Sequence, residues 1–232
     1  MASRNRTVGK SKKPVPARRS PTPRGVKPSA ETKSTKQVKV TKVQRTRRAA
    51  QGDLAADFDT LAYVRDLVRD IPDFPAPGIL FRDITPLLAD PKGFHIVLDL
   101  MAHRFVGEHV DAVVGIESRG FIFGGALAAR LNASFVPVRK PGKLPGRTDR
   151  VSYSLEYGES ELEMHQDSLQ EGARVIVVDD LLATGGTAAA AGELCDRQGA
   201  RVIAYVFAVE LSDLDGAKRL EHTPVFSVIR LD

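Results

Sequence analysis

A chain of 232 residues has room for one sizeable α/β domain with residues to spare, and its formal net charge of +5 hides a sharp division. Residues 1–50 hold 16 Lys/Arg against a single acid, Glu31, a net +15, while the remainder holds 18 basic and 28 acidic residues, a net −10. One cysteine, Cys195, excludes an internal disulfide and any cysteine-based zinc site, and no apolar run approaches the ~18 residues of a membrane span.

The chain has no Leu, Ile, Phe, Tyr or Trp before Leu54, whereas residues 1–50 contain five prolines and eleven Ser/Thr. Such a stretch cannot bury enough apolar surface to offset the entropy of ordering, so residues 1–52 read as a disordered basic extension. Its charge suits nucleic acid or another anionic surface, and a solvated extension without a partner is the plainer alternative. The folded domain is expected over residues 53–232.

Asp57 can cap a helix reaching about Asp70, with Phe58, Leu61, Val64, Leu67 or Val68, and Ile71 at helical spacing. Pro72, Pro75, Pro77 and Gly78 then force an irregular, extended segment. Asp90 and Pro91 make an N-cap and first-position pair, opening a helix whose inward face is Phe94, Val97 or Leu98, Met101 and Phe105. Residues 111–116 read as a buried strand, 121–131 as a helix and 134–138 as a strand. Residues 140–157 mix Gly, Pro and charge with little apolar periodicity, and read as a long loop of the kind that serves as a lid. Strands follow at 161–164 and 173–178, then a helix to about Gln198 and a strand over 201–209. This alternation predicts an α/β fold, a doubly wound, mostly parallel sheet with ligands at the carboxyl ends of its strands.

The most informative stretch is VIVVDDLLATGGT, residues 175–187. A continuous apolar block ends on two carboxylates, Asp179 and Asp180, and a loop of small residues, Ala183, Thr184, Gly185, Gly186 and Thr187, leads into an alanine-rich helix. Strand, small-residue turn and helix N-terminus together aim backbone N–H groups at one anion. Two acids beside a bare phosphate would repel it. A ligand carrying hydroxyls next to its phosphate resolves the conflict, because carboxylates accept from vicinal hydroxyls. A ribose 5-phosphate has that form. The block lacks the lysine of a P-loop and the G-x-G-x-x-G spacing of a dinucleotide site.

Four other segments suit the same ligand. Residues 115–121, GIESRGF, run a strand end into a helix, and the guanidinium of Arg119 can grip a pair of phosphate oxygens. Arg139, Lys140 and Lys143 place three cations within five residues stiffened by prolines, a clamp for a polyanionic leaving group; in isolation such a run is more often a solvated loop. Residues 153–158, YSLEYG, put Glu156 on the expected lid, where loss of water can raise a carboxyl towards neutrality and suit it to proton transfer. Residues 77–86, PGILFRDITP, are apolar and turn-bounded and could receive a flat base. The five histidines show no metal-ligand spacing.

The loop at 175–187 resembles the signature of the type I phosphoribosyltransferases, which bind phosphoribosyl pyrophosphate (PRPP). With PGILFRDITPLL, GIESRGFIFG, PVRKPGKLPG, YSLEYG and ELEMH in that order, the chain resembles the adenine phosphoribosyltransferases over about residues 57–230. The resemblance implies that Asp179 and Asp180 hold the ribose hydroxyls and that residues 183–187 hold the 5-phosphate. It implies that Arg119, Lys140 and Lys143 contact pyrophosphate, with Tyr157 beside them and Arg139 reaching a neighbouring subunit's site. Backbone groups of Leu80 and Arg82 would meet the adenine edge, Leu181 would pack on its face, and Glu156 would handle the proton at N7. It further implies Mg²⁺ carried mainly by PRPP rather than by direct protein ligands, a homodimer, and a cytoplasmic enzyme of purine salvage. The basic extension is not required by the family pattern. Two alternatives stay open: a phosphoribosyltransferase for another purine, such as xanthine, and a PRPP-binding regulator on the same fold.

Overall fold

A computed structural model of the chain describes residues 58–155, 158–220 and 222–232. The expected extension at 1–52 lies outside these residues. The described part opens with helix α1 (Phe58–Asp66) and a two-stranded antiparallel hairpin, β1 (Arg69–Pro72) with β2 (Leu80–Asp83). Helix α1 ends earlier than its apolar spacing predicts. Residue 71 precedes a proline, which disfavours helix, and Arg69–Asp83 and Arg82–Asp70 ion pairs hold residues 69–72 to the partner strand instead. A short helix not foreseen from the sequence, α2 (Thr85–Ala89), follows.

Helix α3 (Pro91–His103) begins as expected: the Asp90 carboxylate accepts the Gly93 N–H at 2.6 Å, and Pro91 occupies the first turn. Tyr63 of α1 donates its hydroxyl to the same carboxylate at 2.9 Å, which ties the two helices together. Next come β3 (Ala112–Ile116), α4 (Gly120–Leu131) and β4 (Ser134–Val138), close to the expected limits.

The supposed loop at 140–157 is half strand. Residues Thr148–Leu155 form β5, paired antiparallel with β6 (Gly158–His165). Charges at Asp149 and Arg150 mask its alternation, in which Val151 is buried and Ser152 exposed. Strand β7 (Arg174–Leu182) runs four residues past its expected end because β8 (Arg201–Leu211) continues beside it, pairing Leu181 with Val209. Asp179 and Asp180 therefore lie within the strand rather than beyond it. Helix α5 (Gly186–Arg197) joins the two strands. After β8 come two 3-10 turns, Ser212–Leu214 and Gly216–Leu220, and a strand the sequence did not announce, β9 (Val225–Leu231).

Strands β3, β4, β7, β8 and β9 form one sheet, ordered β4-β3-β7-β8-β9, and every pairing in it is parallel. Alternate side chains feed two cores. Val113, Ile176, Val178 and Val206 face Val97 and Met101 of α3 and Phe123 and Leu127 of α4. Val114, Val175, Val177 and Phe207 face Leu194 and Cys195 of α5 and Val151, Leu162 and Met164 of the β5–β6 hairpin. Full burial of each large aliphatic or aromatic side chain contributes about 1.5–3 kcal/mol, so both faces of the sheet are held. The chain leaves β3 towards β4 on one side and returns to β7 on the other. That reversal opens a crevice at the carboxyl ends of β3 and β7, where open α/β sheets bind ligands.

Candidate active site

A cleft of about 370 Å³ occupies this crevice, bounded by Glu117, Ser118 and Arg119 after β3, Lys140 after β4, Asp179, Asp180 and Leu181 of β7, and Thr187 of α5. Tyr153 and Ser160 close it from the β5–β6 hairpin. A larger cleft of about 420 Å³ opens around Asp111, Ser134 and Gly172 at the opposite end of β3 and β7. It has no paired acids and no loop entering a helix, so the chemistry gathers in the smaller one.

The acid pair is electrostatically tense. Asp180 is 4 % exposed, and its Oδ2 makes no hydrogen bond although Arg119 Nε stands 3.0 Å away, close enough for an ion pair but without hydrogen-bond alignment. Asp179 Oδ1 accepts the Asp180 N–H at 2.9 Å. Burial, and then the neighbouring Asp180 charge, push the Asp179 carboxyl well above the usual carboxylate range, with Arg119 pulling the other way. Arg119 also lies over the Phe81 ring at 5.6 Å, a cation–π contact that links the β1–β2 hairpin to the acids.

Beyond Leu182 the chain turns through residues 183–185 into α5. Gly185 adopts φ +77° at the helix N-cap, a left-handed conformation that favours glycine, and it has no side chain to cap the first N–H groups. A second glycine lets the backbones meet here. A Cβ on Gly216 would lie 2.0 Å from the Ala183 carbonyl oxygen and 3.0 Å from Gly185 N, so the second 3-10 turn supports the loop directly. Thr187 Oγ1 and the Tyr153 hydroxyl share a 3.3 Å hydrogen bond across the cleft.

On the other wall, Arg139 Nε donates to Glu117 Oε2 at 2.9 Å and its NH1 group to the Lys143 carbonyl at 3.3 Å. The structure thus brings Asp179, Asp180, Leu181, Thr187, Arg119 and Lys140 to one cleft, with Ala183, Thr184, Gly185 and Gly186 on the loop that enters it. Arg139 and Lys143 belong to the same cationic loop as Lys140 but do not line the cleft. Leu80 and Arg82 do not line it either: they sit on β2, joined to it through Phe81 and Arg119. Arg82 bonds Asp70 and the Asp232 carbonyl. Glu156 and Tyr157 lie outside the described residues. Glu117, Ser118, Tyr153 and Ser160 line the cleft without a local sequence pattern that points to a role there. Tyr153 had one readable signal, its alternation with Val151 along a strand.

Among the described residues there is no cluster of three or more side chains able to cage a metal. Asp179 and Asp180 line the cleft, but Arg119 already pairs with the Asp180 oxygen that lacks a hydrogen bond, so the pair suits a hard cation that brings most of its oxygen shell with it rather than one caged by protein side chains.

The phosphoribosyl transferase domain family matches residues 84–229, which defines the class. Adenine phosphoribosyltransferase of Sorangium cellulosum is 66% identical over 174 residues, covering 73% of this chain and 87% of that protein. The Anaeromyxobacter dehalogenans enzyme of the same name is 57% identical over 166 residues, 72% of this chain and 96% of its own. The crystal structure of adenine phosphoribosyltransferase from Rhodothermus marinus aligns with a TM-score of 0.72 at 48% identity, covering 75% of this chain and 99% of that one. That from Saccharomyces cerevisiae, complexed with an imino-altritol bisphosphate and adenine, gives 0.70 at 40% identity over 74% of this chain and 99% of its own. The chain belongs to the adenine phosphoribosyltransferases.

Proposed function

We propose that the cleft at the ends of β3 and β7 transfers the 5-phosphoribosyl group of PRPP to N9 of adenine, yielding AMP and pyrophosphate. The observation that carries this reading is an acid pair near the end of β7, followed within a short small-residue turn by a helix N-terminus without a side-chain cap. That arrangement fits a ligand with hydroxyls beside a phosphate and little else.

In this reading Asp179 and Asp180 accept hydrogen bonds from the ribose hydroxyls, and the N–H groups and hydroxyls of residues 183–187 hold the 5-phosphate. Arg119, Lys140 and Lys143, with Arg139 and Tyr157 beside them, offset the charge that grows on pyrophosphate as its bond to C1′ breaks. Backbone groups of Leu80 and Arg82 align the adenine edge, and Leu181 packs on its face. Glu156, as carboxylate, takes the proton from N7 as N9 attacks C1′, so the bound adenine ends the step neutral. The β5–β6 hairpin, whose Tyr153 and Ser160 line the cleft, shields the activated ribose from water. Magnesium, held beside Asp179 and Asp180 by the substrate's own oxygens, would supply positive charge to the departing pyrophosphate.

The assembly in this reading is a homodimer. Ile122 and Phe135 are exposed on α4 and the edge strand β4, beside a T-shaped Phe121–Phe135 contact at 5.6 Å, which supports burial against a second copy. A single cysteine suits the reducing cytoplasm, where the proposal places the enzyme. Residues 1–50, with their net +15, would tether it to nucleic acid.

The test is direct. Purified protein with PRPP and Mg²⁺ is given adenine, hypoxanthine, guanine or xanthine at equal concentration, and nucleotide formation is measured. AMP formation with the highest kcat/KM for adenine is expected. A higher kcat/KM for another base would move the assignment to that base, and PRPP binding without turnover would make the chain a regulator.

A further inference from the structure

Glu163 of β6 is the most deeply buried acid among the described residues, at 1 % exposure, and neither the cleft nor the chemistry above uses it. Strand alternation does not explain it, because Leu162 and Met164 on either side are buried as well. The other face of β6 is covered at this point by the cationic loop. Glu163 Oε1 accepts the N–H groups of Lys143 at 2.9 Å and Leu144 at 3.0 Å. Oε2 accepts the Thr148 hydroxyl at 3.3 Å and lies 3.2 Å from an Arg150 guanidinium nitrogen. The backbone joins in: Arg139 N–H donates to the Glu163 carbonyl at 2.9 Å, and Glu163 N–H donates to the Arg139 carbonyl at 2.6 Å. Burial alone would raise this carboxyl. The N–H groups of Leu144, Gly142 and Lys143 outweigh it and hold Glu163 below the ordinary carboxylate value.

We infer that Glu163 is a positioning residue for pyrophosphate: its carboxylate gathers the backbone N–H groups of Lys143 and Leu144 and fixes where the loop carries Lys140 and Lys143. The loop between Arg139 and Thr148 contains Gly142 and Gly146, both at positive φ, so its own backbone preferences do not set one shape. A buried anion receiving successive N–H groups does, in the manner of an anion-binding nest filled from within the protein. The inference rests on the proposed role of Lys140 and Lys143. It adds that their placement is bought by a carboxylate that never touches substrate.

The test is a KM-against-kcat split in Glu163→Gln, a substitution of equal size that removes the charge and one acceptor. KM for PRPP and the inhibition constant of pyrophosphate should rise together by about tenfold, while KM for adenine stays within twofold. Lys140→Ala/Lys143→Ala is measured alongside, and so is the triple variant. Glu163→Gln should add less than twofold in the background lacking both lysines, because it acts through them. An equal additional loss there, or an equal rise in KM for both substrates, overturns the inference and leaves Glu163 a structural residue. If the lysine variant keeps wild-type pyrophosphate inhibition, the pyrophosphate reading of the loop has failed instead. Should Glu163→Gln not fold, Arg150→Gln decides from the exposed side of the same clamp: a smaller rise confined to PRPP and pyrophosphate supports the inference, and wild-type constants refute it.

Discussion

Replacing Gly216 by alanine tests how the loop at residues 183–187, the proposed holder of the 5-phosphate, is kept in place. The new Cβ would sit 2.0 Å from the Ala183 carbonyl oxygen, where carbon–oxygen contacts settle near 3.4 Å, so backbone must part by about 1.4 Å. Both sides are main chain, and no side chain can rotate away. Overpacking of this kind costs about 1–3 kcal/mol. At about 2–4 °C per kcal/mol for a domain of this size, Tm should fall by about 2–12 °C. The functional loss should be larger than the stability loss suggests, because a shift of about 1 Å in a substrate-holding group can cost about 10²-fold in rate. Calorimetry and steady-state kinetics at varied PRPP read both effects: kcat/KM for PRPP should drop by about 10–100-fold with the adenine KM little changed. Gly125 is the internal control. Nothing lies within 4 Å of its absent Cβ, so Gly125→Ala in α4 should leave kinetics intact and raise stability by about 0.5–1 kcal/mol. Wild-type Tm and PRPP kinetics in Gly216→Ala would refute the claim that the 3-10 turn supports the loop.

Other outcomes follow from the site and its surroundings. Asp179→Asn and Asp180→Asn should each lower kcat/KM for PRPP by about 10–150-fold, through loss of charge-assisted hydrogen bonds worth about 1.5–3 kcal/mol. Unchanged kinetics in the double variant, with a native circular dichroism spectrum, would remove the ribose role. Hydrogen bonds from the Thr85 hydroxyl and N–H, and then from Arg69, lower the Asp83 carboxyl from 3.8 to about 2. Because the folded value lies below the unfolded one, this contribution is complete above pH 3.8 and disappears as pH falls through about 2. Urea unfolding between pH 5 and pH 2 should therefore show a shallower acid decline in Asp83→Asn than in the wild type, and parallel curves would contradict the assignment.

Local chemistry was legible in the sequence, and long-range pairing was not. Asp90 and Pro91 announced α3 because a cap and a first-turn proline act within three residues. The acid pair and the loop at 183–187 were readable for the same reason: one strand, one turn and one helix end lie within thirteen positions. Residues 69–71 carry a spacing that suits the end of a helix as well as a strand, and the antiparallel pairing of β1 with β2 decides for the strand. Asp149 and Arg150 break the apolar alternation of β5, so its sequence resembles a loop, and only its partner β6 makes the pattern intelligible. The Thr187–Tyr153 contact spans 34 positions and the Lys143–Glu163 contact 20, distances at which no sequence periodicity speaks. Glu163 even misleads, since an acid between two buried apolar residues of a strand is ordinarily the solvent-facing one.

The crowded carboxylates of β7 set this protein's stability against its purpose. A carboxyl whose folded value lies above its unfolded one weakens the native state once pH rises past the unfolded value, and Asp179 is in that position at neutral pH. Exchanging it for asparagine should make the ligand-free fold more resistant to heat while stripping it of its hold on the sugar. A sequence optimised for durability alone would discard a residue that the proposed ribose site uses. On the proposed ribose role, its presence in the strand reflects the reaction rather than the architecture.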